Sequence, residues 1–476
     1  MLSDIRFGTD GWRALIAREF TFANVALLTQ AIASHLRGKG STGARVIVGY
    51  DARFLAEQFA QQAAEVLAAN EFEVLLSDRD TPTPALAYNI IHQQAAGALI
   101  VTASHNPPEY QGIKFVPEYA SPALPEVTDD IEARVRALQA SQVRSPTPLE
   151  LKARLRRFDP RPPYFERLRQ IVRLDKISQA GLRVGVDPLW GTGRGYLDTL
   201  LREAGCEVLT LHDGRDPLFG GHLPDPNESN LRELSRLVSE NQCELGVATD
   251  GDADRFGAVD RGGAFLHPNR LLALTFYHLA MSRFTSGSVA RSAATSHMLD
   301  AVAQKRGFAV QETKVGFKWL GERLRTTDAV FVGEESAGLA MKPHIGEKDG
   351  ILAGLLFAEM VAWHAKSLGE LLEDVVCEVG DYCSQRLDLE VPAERKESVM
   401  ARLRQSPPPT LGGVKVVAVD EPDGVRLTLE DGSWVVVRPS GTEPLLRAYV
   451  EAREPGRFNA LLGAVRELVG SDEGRG

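Results

Sequence analysis

Apolar runs and helical patterns alternate along much of the chain. In residues 45–51, 183–187 and 245–250, a β-branched apolar run stops at a glycine or an aspartate, and a helical pattern follows. Strands that alternate with helices predict largely parallel sheets that are covered on both faces. Ligands bind at the carboxyl ends of such strands, and the aspartates of these segments lie there.

Other segments predict helices and connections. Residues 56–69, 301–305 and 352–364 repeat apolar positions with helical spacing. A seam rich in proline and arginine, residues 141–163, interrupts both periodicities and predicts an interdomain connector, with the first boundary near residue 152. Residues 213–230 carry glycines and prolines and predict a surface loop.

After residue 376 the pattern becomes antiparallel. Residues 425–437 alternate apolar and polar positions around Asp431 and Gly432, which is a strong hairpin signal. The last hundred or so residues are therefore predicted to form a smaller, antiparallel α+β domain. The chain shows no short-period repeat and no low-complexity tract.

Composition narrows the class of protein. The 476 residues are 43% hydrophobic, enough for several domains with real cores. The formal net charge of −10 opposes a broad basic surface for nucleic acid or anionic lipid. The first residues lack an apolar signal region and no run of 18 apolar residues occurs, so we expect a cytoplasmic protein. The four cysteines form no C-x-x-C pair, and we expect reduced, mostly buried thiols.

A serine follows the apolar run at residues 98–101, in the motif of residues 101–108. At the end of a strand, and before residues that break structure, Ser104 would present its hydroxyl to a ligand. An ordinary loop that caps a helix is the alternative. The motif is not the G-x-S-x-G elbow of hydrolases.

Three aspartates alternate in residues 249–255, again after an apolar strand. Two carboxylates ~4 Å apart at an effective dielectric of ~20 repel by roughly 4 kcal/mol, so three together need a cation. Hard oxygen ligands suit Mg²⁺ or Ca²⁺, with a phosphate oxygen as a further ligand. Arg255 and Arg261 stand where an EF-hand needs Gly and Glu, so that class is excluded. A solvated acidic loop is the remaining alternative.

Two further motifs suit a sugar phosphate. Residues 333–338 place adjacent carboxylates and a hydroxyl between glycines, and residues 344–350 add a histidine and a lysine. Residues 438–444 combine a guanidinium, two hydroxyls and glycine, which suits an anion. Polar or charged turns are the alternatives. Residues 191–195 are followed by Tyr196 where a dinucleotide motif needs glycine, and no P-loop occurs, so nucleotide cofactors have little support.

Taken in this order, the four motifs resemble those of the α-D-phosphohexomutases, the family of phosphoglucomutases and phosphomannomutases. The resemblance extends from residues 7–13 to residues 438–444. It implies four domains around a central cleft, three α/β domains with mixed sheets and a last α+β domain resembling the TATA-binding-protein fold. The expected domains are 1–152, 153–261, 262–376 and 377–476, with the break near 262 taken from the resemblance.

The resemblance also implies a role for each matching residue. Ser104 would carry the phosphoryl group, and Mg²⁺ would be held by Asp250, Asp252, Asp254 and the phosphate on Ser104. Catalysis would involve Arg13, His105, Arg255 and Lys114, the last as a candidate proton acceptor. The sugar hydroxyls would be bound by Glu334 and Ser336. The phosphate that does not react would be bound by Arg438, Ser440, Gly441 and Thr442.

Departures from the family pattern favour glucose as the sugar. Mutases that also accept mannose or glucosamine usually end the sugar loop in Gly-His, whereas this chain has Ala337 and Gly338. Residues 314–319 are nearer to the phosphoglucomutase type, as is the string at residues 344–350. His344 and Lys348 are therefore expected to be further phosphate or sugar contacts.

The resemblance predicts a phosphoglucomutase that interconverts glucose 1-phosphate and glucose 6-phosphate, with glucose 1,6-bisphosphate as intermediate and activator. A phosphomannomutase or a dual-specificity mutase is the alternative. A dehalogenase-type phosphatase is disfavoured because Asp254 stands where it needs Thr or Val, and a non-catalytic sugar-phosphate-binding protein is a further class. We expect a monomer or dimer, binding neither nucleic acid nor membrane, whose C-terminal domain rotates about a hinge near residues 370–380.

Overall fold

The computed structural model describes residues 5–8, 10–440 and 445–470, except for the side chain at position 393. The chain divides into two compact units. The first contains Met1–Pro268, Gly316–Val332 and Ser336–Leu371, and the second contains Asn269–Val315, Gly333–Glu335 and Leu372–Gly476.

The first unit begins with a six-stranded mixed sheet in the order β1-β5-β4-β2-β3-β6. Strands β2, β3, β4 and β6 pair in parallel, whereas β5 is antiparallel to β4 and β1. Thr21 caps α1 through its side chain. The elements are β1 (Trp12–Leu15), α1 (Phe22–Gly38), β2 (Arg45–Tyr50), α2 (Ala56–Ala69), β3 (Glu73–Ser77), α3 (Thr83–His92), β4 (Gly97–Val101), β5 (Tyr110–Pro117), α4 (Pro125–Ala137), α5 (Pro148–Arg154) and β6 (Leu155–Phe158).

The seam of residues 141–163 contains regular structure. The boundary predicted near residue 152 falls inside α5, and β6 then pairs with β3, so the first sheet extends to Phe158. Strand β6 is a four-residue edge strand with the exposed arginines Arg156 and Arg157 at its centre. Such a short, charged edge carries little hydrophobic pattern, which is why the sequence did not predict it.

A second mixed sheet in the first unit has the order β11-β10-β9-β7-β8. Strands β7, β8 and β9 pair in parallel, and β10 returns antiparallel to β9. The predicted loop at residues 213–230 contains only a short 3₁₀ turn. The elements are α6 (Arg161–Ile171), α7 (Leu174–Ala180), β7 (Arg183–Asp187), α8 (Leu197–Glu203), β8 (Glu207–Thr210), α9 (Arg232–Glu240), β9 (Leu245–Thr249), β10 (Phe256–Asp260) and β11 (Phe265–Leu266).

The third group of elements is divided between the units. In the second unit, β12 and β13 pair in parallel. In the first unit, Asp349 caps the buried helix α13 by accepting from the Leu352 N–H at 2.8 Å. The elements are α10 (Pro268–Ser282), β12 (Ser288–Ser292), α11 (Met298–Lys305), β13 (Ala309–Thr313), α12 (Phe317–Thr326), β14 (Ala329–Glu334), β15 (Gly338–Met341), α13 (Gly350–His364) and α14 (Leu368–Val379).

The second unit ends in an antiparallel sheet of order β16-β21-β20-β19-β18-β17, as predicted for the C-terminal domain. The predicted hairpin is confirmed as β19 and β20. Buried side chains of the sheet and of α15 and α16 form one core. The elements are β16 (Cys383–Glu390), α15 (Ala393–Gln405), β17 (Thr410–Leu411), β18 (Val414–Asp420), β19 (Val425–Leu429), β20 (Trp434–Pro439), β21 (Leu445–Ala452) and α16 (Pro455–Gly470).

All four cysteines are free thiols; Cys206 and Cys243 are buried, whereas Cys377 is exposed. Within the described parts of the chain, no single helix has the length and apolar composition to cross a membrane. Helices α13 and α14 have that length and composition only when they are taken together, and the pair is bent by 78°.

Candidate active site

Ser104 lies in a tightly held loop three residues after β4. Its backbone is left-handed, with a φ of 51°, and the residue is only 2% exposed. Non-glycine residues adopt this conformation rarely, and they concentrate at functional sites. The Ser104 N–H donates to Thr102 Oγ1 at 2.9 Å, which fixes the start of the loop.

A buried arginine side chain donates hydrogen bonds to the backbone of the same loop. Arg53 is fully buried, and its Nε lies 3.1 Å from Asp51 Oδ2. Its two Nη atoms donate to four backbone carbonyls of the serine loop, those of Ser104, Asn106, Pro107 and Tyr110, at 2.6–3.0 Å. The loop conformation around Ser104 is therefore fixed by hydrogen bonds to one guanidinium.

The serine hydroxyl meets the aspartate motif directly. Ser104 Oγ donates to Asp250 Oδ2 at 2.9 Å, and Oγ lies 3.3 Å from the Nδ1 of His105. Desolvation of the imidazole, together with the nearby guanidinium groups of Arg255 and Arg13, lowers the pKa of His105 well below its ordinary value. His105 is therefore neutral at pH 7.

The three predicted aspartates converge and fit a hard cation. Asp250, Asp252 and Asp254 are buried, and each offers an oxygen within 4.8 Å of the others. Asp252 Oδ1 and Asp254 Oδ1 are buried without a hydrogen-bond partner among the described residues. Burial and the two neighbouring carboxylates raise the pKa of Asp250 well above its ordinary value. A divalent cation would satisfy the free oxygens and remove this repulsion.

Two lysines already neutralise part of this acidic cluster. Lys114 Nζ lies 2.8 Å from Asp10, 2.9 Å from Asp252 and 2.8 Å from Asp254. Burial opposes its charge, but these carboxylates outweigh burial and raise the pKa of Lys114 well above its ordinary value. Lys348 Nζ lies 3.3 Å from Asp254. Lys114 is therefore an ammonium in this structure, which opposes the predicted role as a proton acceptor.

Several residues of the site were not predicted. Thr83, at the start of α3, donates from Oγ1 to Asp252 Oδ2 at 2.6 Å. Asp10 pairs with Lys114 and belongs to the N-terminal motif, residues 7–13, in which only Arg13 has a predicted role. Arg53 and Thr83 each lie a few residues after a strand of the first sheet, and that position was the available signal.

The other predicted residues of the first unit have different surroundings. Arg13 Nη1 donates to Asn106 Oδ1 at 2.5 Å, and Arg255 Nη1 lies 3.4 Å from Asp225 Oδ1. The His344 side chain is fully buried, and its Nε2 lies 2.9 Å from Asp349 Oδ2. His344 therefore supports the cap of α13, and its predicted contact with a ligand stays a prediction.

The remaining predicted residues divide between the units. Ser336 belongs to the first unit and Glu334 to the second, at the end of β14, where it is 7% exposed. In the second unit, Arg438 Nη2 pairs with Asp423 Oδ2 at 3.1 Å, and Ser440, directly after β20, is buried. Gly441 and Thr442 lie outside the described residues.

Family models match nearly the whole chain. The four matches are to the phosphoglucomutase/phosphomannomutase α/β/α domain I at residues 4–142, domain II at 162–263, domain III at 267–378 and the C-terminal domain at 389–468.

Similar proteins are named for different sugar substrates. A phosphoglucomutase of Komagataeibacter xylinus is 30% identical over 94% of this chain and 87% of that protein. A probable phosphoglucosamine mutase of Methanothermobacter thermautotrophicus is 31% identical over 94% of each. The crystal structure of a putative phosphomannomutase from Thermus thermophilus matches with a TM-score of 0.86 and 35% identity, over 99% of this chain and 100% of that one. The protein is therefore an enzyme of the α-D-phosphohexomutase family, the phosphoglucomutases and phosphomannomutases.

Proposed function

We propose that the protein is a phosphoglucomutase that works through a phosphoserine at Ser104 and a glucose 1,6-bisphosphate intermediate. The observation that carries this proposal is the Ser104 hydroxyl, 2.9 Å from one of three convergent buried aspartates. Phosphoryl transfer needs positioning and neutralised charge, and this arrangement supplies both.

Asp250, Asp252 and Asp254 would hold Mg²⁺, which supplies positive charge to the phosphoryl oxygens. In the transfer step, the bond from phosphorus to Ser104 Oγ breaks and a bond to a sugar hydroxyl oxygen forms. Lys114 holds its proton while Asp10, Asp252 and Asp254 keep their charges, so it could accept the proton that this hydroxyl loses only where a cation neutralises those carboxylates. His105 is neutral, and a phosphate dianion beside it would raise its pKa, so His105 is the better candidate acceptor. The imidazolium would return this proton to Ser104 Oγ, 3.3 Å from its Nδ1, as the serine leaves the phosphorus.

The proposed sugar is glucose, since residues 314–319 and 333–338 resemble the phosphoglucomutase type. Glu334 and Ser336 would bind sugar hydroxyls. Lys348, and by prediction His344, would contact the sugar or its phosphate. Arg438, Ser440, Gly441 and Thr442 would bind the phosphate that does not react. Because relatives are named for glucose, mannose and glucosamine substrates, a phosphomannomutase or dual-specificity enzyme is the second candidate.

Intact-mass measurement tests the covalent step. We expect one phosphoryl group on the wild-type protein after incubation with glucose 1,6-bisphosphate, and none on Ser104→Ala. Ser34→Ala is the matched control, because Ser34 only bonds within α1. A phosphoryl group that persists in Ser104→Ala would contradict the proposal, as would release of free phosphate equal to substrate consumed.

Parallel turnover assays on glucose, mannose and glucosamine 1-phosphates test the substrate. We expect the largest kcat/KM for glucose 1-phosphate with Mg²⁺ present. A larger value for either other sugar would overturn the glucose assignment and leave the family unchanged. A cytoplasmic monomer or dimer stays a prediction, checked by fractionation and light scattering.

A further inference from the structure

Two neighbouring loops form backbone hydrogen bonds with the aspartate loop, residues 249–255. The Gly251 N–H donates to the carbonyl of Pro224, in the 213–230 loop, at 3.1 Å. The Thr192 N–H, in the 188–194 loop, donates to the carbonyl of Gly251 at 3.1 Å. Both backbone bonds meet at the residue that follows Asp250, so the two loops hold the backbone that carries the Asp250 carboxylate.

The 188–194 loop explains the glycine-rich motif that fits no dinucleotide site. A side chain at Gly191 would come within 2.8 Å of the Gly251 carbonyl and 2.9 Å of the Asp250 carbonyl. Real Cβ atoms essentially never approach so closely, so glycine is required here for the backbone of the aspartate loop to pack against the motif.

The Trp190 indole connects the 188–194 loop with the 213–230 loop. The Trp190 ring stacks on the imidazole of His212 with centroids 3.7 Å apart, and a Cβ at Gly220 would overlap the same indole. His212 Nδ1 lies 3.0 Å from both carboxylate oxygens of the fully buried Asp187. Trp190 therefore packs between the end of β8 and the turn of the 213–230 loop.

The backbone at this contact is conformationally strained. Leu189, Trp190 and His212 have φ values of 47°, 56° and 46°, in the left-handed region that bulky residues rarely adopt. Such conformations persist only where the surrounding structure enforces them. Here the stacked rings and the Trp190 N–H, which donates to the His212 carbonyl at 3.1 Å, enforce them.

The same contact reaches the serine loop. Phe219 precedes Gly220, is fully buried and lies under the Arg53 guanidinium at 5.0 Å. Arg53 in turn holds the Ser104 carbonyl at 2.7 Å. A displacement of the 213–230 loop would thus disturb both the serine loop and the aspartate loop.

We propose that Trp190 is a positioning residue that locks the 188–194 and 213–230 loops around Gly251, and so fixes the Asp250 carboxylate for the metal ion. This inference rests on the proposed metal site. Groups that hydrogen-bond directly to a metal ligand typically contribute 10–100-fold to metal affinity, and Trp190 acts through the two loops, so its effect is expected at the low end of that range.

Mn²⁺ binding to the full-length protein, followed by electron paramagnetic resonance, tests the proposal. We expect Trp190→Ala to weaken Mn²⁺ binding about tenfold, and Trp190→Phe to recover most of that loss. Trp363→Ala is the matched control, since this indole at the end of α13 packs with Arg173 and Lys176 instead. Equal affinity in Trp190→Ala and Trp363→Ala would overturn the proposal.

Hydrogen exchange separates this inference from the metal assignment. In Trp190→Ala, the Gly251 amide should exchange about tenfold faster or more, while amides of the C-terminal sheet keep their protection. Gly220→Ala is the second variant, because its methyl group displaces the indole without removing it. Unchanged Gly251 exchange in both variants overturns the role of Trp190, whereas a wild-type protein that binds no Mn²⁺ overturns the metal site alone.

Discussion

The serine and aspartate loops of the first unit and the Arg438 region of the second unit handle charge in opposite ways. In the first unit, Arg53, Lys114 and Asp252 are at most 2% exposed, and each has several charged or carbonyl partners. In the second unit, Arg438 and Asp423 form one ion pair with side chains 19% and 26% exposed. Buried charges lose much when a partner is removed, whereas part-exposed pairs exchange partners at little cost. The first arrangement suits a fixed reaction site, and the second suits a ligand that comes and goes.

Replacing Arg53 should give the largest effect. Arg53→Met leaves the buried Asp51 uncompensated and four carbonyls of the serine loop without a donor. We expect a loss of about 3–5 kcal/mol in the unfolding free energy of the first unit, measured by urea denaturation. Arg18→Met is the control, because Arg18 forms an exposed pair with Glu19 at 2.8 Å. Equal losses in both variants would mean that burial does not distinguish the two regions.

Removing the Lys114 ammonium should lower turnover as well as stability. In Lys114→Met, the three carboxylates around Nζ lose their shared cation, and developing phosphoryl charge loses a nearby positive group. We expect kcat to fall by about 10²–10³-fold. Steady-state assays with glucose 1-phosphate measure this, with circular dichroism as the check on folding. A normal kcat would show that Lys114 has only a structural role.

Replacing Arg438 should change binding rather than chemistry. A charge-assisted hydrogen bond contributes about 1.5–3 kcal/mol, so we expect Arg438→Met to raise KM by about 10–100-fold with a smaller change in kcat. Arg386→Met, which removes an exposed pair with Asp388, is the control. A fall in kcat with KM unchanged would place Arg438 at the reacting phosphate and remove the contrast.

The smallest expected effect is a pH dependence in the second unit. Glu451 accepts from the His297 N–H at 3.0 Å and from Trp434 Nε1 at 2.8 Å, and burial raises the pKa of Glu451 to about 7. Because the folded pKa exceeds the unfolded value, the stabilisation is complete below the unfolded pKa and is lost as pH rises through 7.

We therefore expect wild-type stability to fall by about 2 kcal/mol between about pH 5.5 and pH 7 through Glu451. Glu451→Gln keeps an acceptor oxygen and should not show this part of the fall. Urea denaturation at the two pH values measures it. Parallel pH profiles for the two proteins would contradict the assignment.

The sequence predicted the residues that follow strands but not those that support them. Ser104 and Asp250 each follow a parallel strand, and the carboxyl ends of such strands gather ligands, so each could be expected at a binding site. The two strands belong to different sheets, so their proximity was implied only by the family resemblance. Arg53 and Thr83 reach the same place from other strands, and no sequence spacing connects them with Ser104. Asp423 could not be predicted for a related reason, because it lies in a turn and meets Arg438 only through the antiparallel sheet.

Secondary structure was predictable where burial imposes a clear periodicity. Helix α2 has the predicted bounds, 56–69, because its apolar face packs into the first core. Strand β6 was not predicted, since an edge strand with exposed arginines shows no such face. The glycine motif at residues 191–195 had little support as a nucleotide site, but its packing against the aspartate loop depends on contacts that local sequence does not encode.

In the proposed mechanism, the left-handed backbone of Ser104 limits how the residue can first acquire a phosphoryl group. A protein kinase takes its target serine as an accessible, extended segment, whereas Ser104 has a φ of 51° and is 2% exposed. The loop would have to leave the Arg53 guanidinium before a second macromolecule could reach the hydroxyl. Priming of the resting protein thus requires a donor small enough to enter a folded loop, such as a sugar bisphosphate.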